Sequence, residues 1–222
     1  MWKCSAMGIK PDKSFLEDLI NKRRSIRKYK PDNPPKEWIE TMLHCALMAP
    51  SPSNSQPVRF IRISSTGKRE KLYQGLNSGK EEFLRAIQHK KEAKKLKNWI
   101  NTYYRYSEFM FKAPILFAVG TITSYKSFSK RMFEEGIIRH DRREETSLDI
   151  TVGLALKGFI LKGEELGLGT CILTGPMVFI PNIEEILGIH DVRIKCFITA
   201  GFPGEKPDMP PRKSIAEIIS EI

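Results

Sequence analysis

The sequence has no apolar run long enough to cross a bilayer. Stretches such as Ala113–Val119 fall well short of the ~20 residues that a spanning helix needs. Met1–Lys10 likewise has no continuous apolar core of signal-peptide length, so a cytoplasmic protein without a membrane segment is expected. Cysteine is sparse and unpatterned. Cys4, Cys45, Cys171 and Cys196 form neither a CxxC pair nor a Cys/His spacing, which argues against a metal centre and a disulfide framework and suits a reducing compartment. No metal is expected. Internal repeats and low-complexity tracts are also missing. So is a Gly-x-Gly-x-x-Gly run after a strand, which leaves a Rossmann nucleotide site poorly supported.

What is present is 222 residues, enough for one well-packed domain and short for two, with 41% hydrophobic content. The expectation is an N-terminal extension over 1–13 and a single domain over 14–222. The formal charge is +11, from 37 Lys and Arg against 26 Asp and Glu. Much of the excess lies in Lys22–Lys30 and Arg85–Lys97. The second stretch reads as a wet helix face whose lysines are not interleaved with stacking aromatics, so nucleic acid is not an expected partner. A basic surface does attract anionic cofactors.

Ser14 followed by Glu17 is a capping box ahead of Leu16, Leu19 and Ile20. Trp38, Ile39, Met42, Leu43, Ala46 and Leu47 recur at helical spacing up to Pro50, and Val58–Ile63 reads as a strand. The segment 67–112 is charged and helical, with an aromatic group of Trp99, Tyr103, Tyr104, Tyr106, Phe109 and Phe111. Ala113–Thr121 has the look of a buried strand. Leu148–Leu161 is apolar around much of its circumference, a helix buried on several sides, with Gly167 and Gly169 fitting its C-terminal cap. Thr170–Leu173 and Arg193–Ala200 follow as strands, Ile183–Leu187 as a short helix, and a second capping box spans Ser214 and Glu217. Helices and strands alternate without a βαβ rhythm, which favours α+β.

Three polar segments carry candidate chemistry. In Arg23-Arg24-Ser25-Ile26-Arg27, alternate positions of an extended chain put Arg23, Ser25 and Arg27 on one side, a set suited to phosphate; a charged turn explains the same residues. In Pro50–Pro57, prolines restrict a loop whose Ser51, Asn54 and Gln56 offer amide and hydroxyl partners for a planar heterocycle; an ordinary connector is the plain alternative. In Gly167–Pro176, glycines permit close approach of backbone N–H groups to a ligand, although a helix cap and a simple strand would need no ligand.

Together and in this order, RRSIRKY, APSPSNSQPVRF and GLGTCILTGP resemble the nitroreductase family of FMN-dependent oxidoreductases, with the resemblance running from Phe15 to the tail. It implies an α+β fold with a central mixed, mostly antiparallel sheet flanked by helices, in an intertwined homodimer. Arg23, Arg24 and Ser25 match residues around the FMN phosphate and ribityl chain, and Arg27 matches the basic residue near the pyrimidine edge. Pro50, Ser51, Pro52, Ser53, Asn54 and Gln56 match the loop that reaches the flavin from the other subunit. Leu173, Thr174 and Gly175 match the backbone that covers the flavin and donates to N5, and Arg212 and Lys213 match a basic pair closing on the phosphate. Two departures stand out: Pro52 replaces a small polar residue, and Pro210-Pro211 precede Arg212 where relatives often carry another basic residue.

The resemblance further implies ping-pong hydride transfer from NADH or NADPH, through flavin N5, to a small electrophile such as a nitroaromatic or quinone. Arg27 would act as an electrostatic stabiliser, and no side-chain nucleophile is expected. His44, His89, His140 and His190 fall outside all three motifs, so protons come from solvent. Other chemistry on the same scaffold stays open: reductive dehalogenation, alkene reduction or flavin modification. A ferredoxin-type donor or a non-enzymatic flavin- or nucleic-acid-binding role also remains. The unmatched 67–112 region is the expected variable part, its aromatics either core or a lid.

Overall fold

The apolar run of the sequence becomes the second strand of a four-stranded sheet, and its alternate side chains divide the molecule into two cores. The computed structural model describes residues 14–139 and 142–222. The expected extension over 1–13, with Cys4, and also His140 lie outside these described residues. The strands are β1 (Val58–Arg62), β2 (Ile115–Ile122), β3 (Gly169–Leu173) and β4 (Val192–Gly201), in the spatial order β1-β2-β4-β3. All three pairings are antiparallel. An isolated parallel bridge, Ser25 to Thr170, lays the Arg23–Arg27 segment outside β3, beside the antiparallel sheet.

Successive side chains of a strand point to opposite faces. Ile115, Phe117 and Val119 of β2 therefore meet α2 (Lys36–Leu47) and α6 (Arg142–Glu165), through Ile39, Met42, Val152, Leu156 and Phe159. Leu116 and Ala118 face the other way, onto Leu72 and Leu76 of α3 (Thr66–Ala86), Tyr104 of α4 (Ala93–Glu108), Phe179 of α7 (Pro176–Phe179), and Ile183 and Leu187 of α8 (Ile183–Leu187). The result is a sheet with helices on both faces. No described helix is long and apolar enough to cross a membrane.

Local signals hold at most boundaries. Helix α1 (Phe15–Lys22) is capped by Ser14, whose Oγ accepts from the Glu17 N–H at 3.1 Å. Gly167, at φ +74°, ends α6 in a Schellman arrangement: Leu168 N–H donates to Gly163 at 2.8 Å and Gly167 N–H to Glu164 at 3.0 Å. Gly169, expected in the same cap, instead opens β3. There a Cβ would lie 2.5 Å from Ile26 Cγ1, so the absent side chain is what lets the Ile26 segment pack against the strand.

Helix α6 buries Val152, Leu156 and Phe159 but leaves Ile150 and Leu154 exposed within one chain. Two features differ from the sequence reading. Helix α5 (Phe128–Glu134) was not expected, because its large apolar side chains Phe128 and Phe133 face solvent and give no amphipathic signal. The capping box at Ser214 and Glu217 forms, yet it supports only one 3-10 turn, Ile215–Glu217, rather than a helix.

A candidate flavin site split between two sheet edges

The Arg23–Arg27 segment is fixed along the outer edge of β3. Ile26 N–H donates to the Thr170 carbonyl at 3.0 Å, and the Ile26 side chain is buried over Gly169. Beyond it, the Glu205 carboxylate accepts from the Arg27 N–H at 2.6 Å and the Lys28 N–H at 3.1 Å. The Tyr29 hydroxyl donates to Ile26 O at 2.6 Å and lies 2.7 Å from Thr199 Oγ1. Burial raises the Tyr29 pKa, and so this hydroxyl stays neutral.

Alternation along the segment sorts its side chains. Arg23, Ser25 and Arg27 occupy alternate positions of the segment, and burial raises the Cys171 thiol pKa while the charges of Arg27 and Arg23 and a hydrogen bond with Ser25 oppose the shift. Arg24 takes the other side. Its Nη1 donates to the carbonyls of Asn21, Lys22 and Arg23 at 2.6, 3.0 and 2.8 Å, closing the C-terminal end of α1. The structure therefore engages the Arg24 guanidinium in the backbone.

β3 runs out at Leu173 into Thr174 and Gly175. Among the described residues neither the Thr174 nor the Gly175 N–H finds an acceptor, so both donors are available to a ligand. Gly175 packs against α4: a Cβ there would stand 3.0 Å from Ser107 Oγ and 3.9 Å from Tyr103 Cδ1. One turn further, the Arg27 guanidinium lies over the Tyr106 ring, 5.0 Å from its centroid. The aromatics of the variable region thus divide. Tyr104 is core, while Trp99, Tyr103 and Tyr106 are exposed at the i, i+4, i+7 spacing of one helix face.

The loop with Pro50, Ser51, Pro52, Ser53, Asn54 and Gln56 is elsewhere. It precedes β1, at the opposite edge of the sheet from β3, three strand spacings or ~14 Å across. Pro52 starts a 3-10 turn, Ser51 Oγ accepts from the Gln56 N–H at 2.9 Å, and Gln56 Nε2 donates to Asn54 Oδ1 at 3.1 Å. Ser53, Asn54 and Gln56 all hold positive φ, at 50°, 53° and 46°. Three such non-glycine residues in four positions mark a loop held against its preferences, a pattern that clusters at ligand-binding sites. The buried Ser55 Oγ has no partner there. A groove of about 430 Å³ opens beside Ser51 and Gln56, between Leu43 and Leu47 of α2 and Thr151 and Ala155 of α6. Arg212 and Lys213 are exposed on the C-terminal arm.

The donor set fits a phosphorylated isoalloxazine. Arg23, Ser25 and Arg27 supply anion partners, Thr174 and Gly175 supply N–H groups without an acceptor among the described residues, and the strained loop carries amide edges and an orphaned hydroxyl. Sequence reasoning missed Glu205, which holds the Arg27 backbone from 178 positions away. It noticed Tyr103 and Tyr106 but not their placement beside Gly175 and Arg27.

Comparison with known proteins agrees. The Bacillus subtilis (strain 168) protein YfhC, named for NAD(P)H nitroreductase activity, is 27% identical over 94% of this chain and 95% of its own length. A BluB-like flavoprotein from Clostridium difficile 630 superposes with a TM-score of 0.78 at 28% identity, covering 93% of this chain and 98% of that one. An iodotyrosine deiodinase bound to FMN and 3-iodo-L-tyrosine shares the fold, with a TM-score of 0.65 at 24% identity over 90% of this chain and 96% of that one. The model of the Nitroreductase family matches residues 20–202, and the chain belongs to that family.

Proposed function

We propose that this protein is a homodimeric, FMN-dependent oxidoreductase that takes reducing equivalents from NADH or NADPH and delivers them to a small electrophile, a nitroaromatic or quinone. Residues 14–222 form one FMN-binding domain in this reading, with 67–112 as its variable, substrate-facing part. Its location is the cytoplasm, since four scattered cysteines suit a reducing compartment. The observation that supports the proposal most is the β3 edge. There Arg23, Ser25 and Arg27 occupy alternate positions of a segment bridged to Thr170, and the strand runs on to two backbone donors without acceptors among the described residues.

When bound, FMN supplies the hydride-accepting and electron-donating chemistry. Arg23 and Ser25 hold its phosphate and ribityl chain, with Arg212 and Lys213 closing from the arm. The Thr174 and Gly175 N–H groups orient the ring. Arg27, steadied by Tyr106 and Glu205, keeps a positive charge at the pyrimidine edge, where negative charge develops on reduction.

The sheet order supports a dimer. Ser51, Asn54 and Gln56 sit at the far sheet edge, so in this reading a second copy brings its own loop to complete the pocket. Exposed Leu47 and Met48 at the end of α2, with Ile150 and Leu154 on α6, supply an apolar face for it. The test is the absorbance of the purified protein with FMN, followed by anaerobic reduction with NADH and NADPH. Protein that stays colourless after incubation with FMN defeats the proposal.

Reductive dehalogenation of an aromatic substrate is the second reading. The exposed Tyr103 and Tyr106 beside Gly175 favour it, offering rings on which a substrate ring stacks. Turnover of a nitroaromatic, a quinone and a halophenol in parallel distinguishes the two.

A further inference from the structure

Beside Arg27 the chain forms a second cavity, of about 450 Å³, between Arg27–Tyr29 and the C-terminal end of α4. Four cations line it: Arg27, Lys28, Arg105 and Lys112. None of the four forms an ion pair among the described residues. The one carboxylate in the lining is Glu108, whose Oε1 accepts from the Tyr73 and Tyr104 hydroxyls at 3.4 Å each. A second groove along the same segment carries Lys22, Arg24 and Lys206 with two carboxylates, Glu164 and Glu205, so its excess of positive charge is smaller. The cavity beside Arg27 is unbalanced.

Unpaired like charges sharing a concave surface repel one another and raise the local concentration of anions. A singly charged carboxylate relieves little of that repulsion. A diphosphate or a phosphate monoester relieves much more, and the two guanidinium groups present the planar fork that phosphate oxygens match. Phe109 and Tyr29 add apolar surface for a base or sugar. Arg27 belongs both to this cavity and to the neighbourhood of Tyr106, whose helix abuts Gly175 one turn away. A molecule anchored here by its phosphates therefore has its other end within reach of Thr174 and Gly175.

We propose that this cavity is the phosphate-recognition subsite for the reducing nucleotide, with Arg105 and Lys112 as its specificity-determining cations and Lys28 in support. The assignment rests on the flavin reading above, because it names the donor's binding place beside that site. The same cationic chemistry would also hold a phosphorylated acceptor, and the two half-reactions tell these sources apart.

The experiment uses Arg105→Ala, Lys112→Ala and their double variant. Both side chains are exposed, so the fold is expected to survive. Rapid-mixing measurements follow reduction of the FMN-loaded protein by NADPH and NADH. Reoxidation of dithionite-reduced protein by a quinone is followed separately. Each single variant is expected to weaken apparent nucleotide binding about tenfold, as for loss of one charge-assisted contact. Arg105→Lys keeps the charge but not the fork and should recover part of the loss, and reoxidation should be unchanged. Unaltered nucleotide binding in an FMN-loaded double variant overturns the subsite and leaves the flavin reading standing. A defect confined to reoxidation by a phosphorylated acceptor overturns the donor assignment. Should the wild-type protein take up no FMN, the flavin reading fails. Calorimetric titration with 2′,5′-ADP then still reads the cavity: binding lost in the double variant supports it, and no binding to the wild type overturns it.

Discussion

Ile26 occupies the space that a side chain at Gly169 would need: a Cβ built there would stand 2.5 Å from Ile26 Cγ1 and 2.7 Å from its Cβ. That contact seats the Arg23–Arg27 segment on β3 and sets which of its side chains face the candidate site. Gly169→Ala is therefore expected to cost about 1–3 kcal/mol, the usual range for overpacking, and to lower the thermal midpoint by several degrees. Flavin affinity should fall by more than stability alone explains, because Ser25 and Arg27 move with the segment. Thermal unfolding and FMN titration on the same variant check both parts. Normal flavin affinity in a destabilised variant would show that the segment's seating is structural only.

Arg27→Ala tests the electrostatic role. A positive charge beside the pyrimidine edge favours the reduced, anionic ring, so its removal should lower the midpoint potential of the bound flavin. Arg27 is exposed in the single chain, which reduces the effect from the full Coulomb value to some tens of millivolts, on the order of 1–2 kcal/mol for a two-electron couple. Tyr106→Leu keeps the charge and removes the ring beneath it, so a smaller shift of the same sign is expected. Spectroscopic redox titration reads both variants. An unchanged potential in Arg27→Ala removes Arg27 from this role.

Features set by nearby residues were legible in the chain, and those set by packing were not. Ser14 with Glu17 and the left-handed Gly167 act within a few positions of themselves, and both do what local chemistry predicts. The alternate placing of Arg23, Ser25 and Arg27 follows from the extended run beside β3, while the folding of Arg24 onto the end of α1 has no signal in the sequence. Helix α5 escaped notice because its exposed Phe128 and Phe133 carry no signal without whatever covers them. Glu205 and the pairing of Tyr106 with Arg27 join parts of the chain that no local pattern connects.

The buried thiols predict how stability changes with pH. Burial pushes the Cys196 thiol up to about 12 and raises Cys171 as well. An unfolded thiol titrates near ~8.5. Below that pH both states hold the proton, and the contribution of each thiol is fully present. Above it the unfolded chain loses protons that the folded chain keeps, so stability falls by up to about 1.4 kcal/mol per pH unit per thiol until the folded value is reached. Urea unfolding between pH 8 and pH 11 should show this decline. Cys196→Ala should be weaker at pH 8 because of the cavity it leaves, yet flatter with pH. An unchanged slope in that variant would assign the decline to other groups.

Ser51, Asn54 and Gln56 stand at one sheet edge and Thr174 and Gly175 at the other, so the proposed flavin pocket would need the loop of a second chain. Ile150 and Leu154 lie four residues apart on the uncovered face of α6, away from Val152 and Leu156 in the core. Replacing them with Ile150→Asp and Leu154→Lys should leave the single chain folded while preventing association. Sedimentation velocity is expected to give wild-type particles of twice the 25.5 kDa chain mass, yellow with bound FMN. The double variant should sediment as a colourless single chain with an unchanged far-ultraviolet circular dichroism spectrum. A single-chain species that retained FMN in full would mean that one copy closes the pocket by itself, and the two-edge arrangement would then have no part in binding.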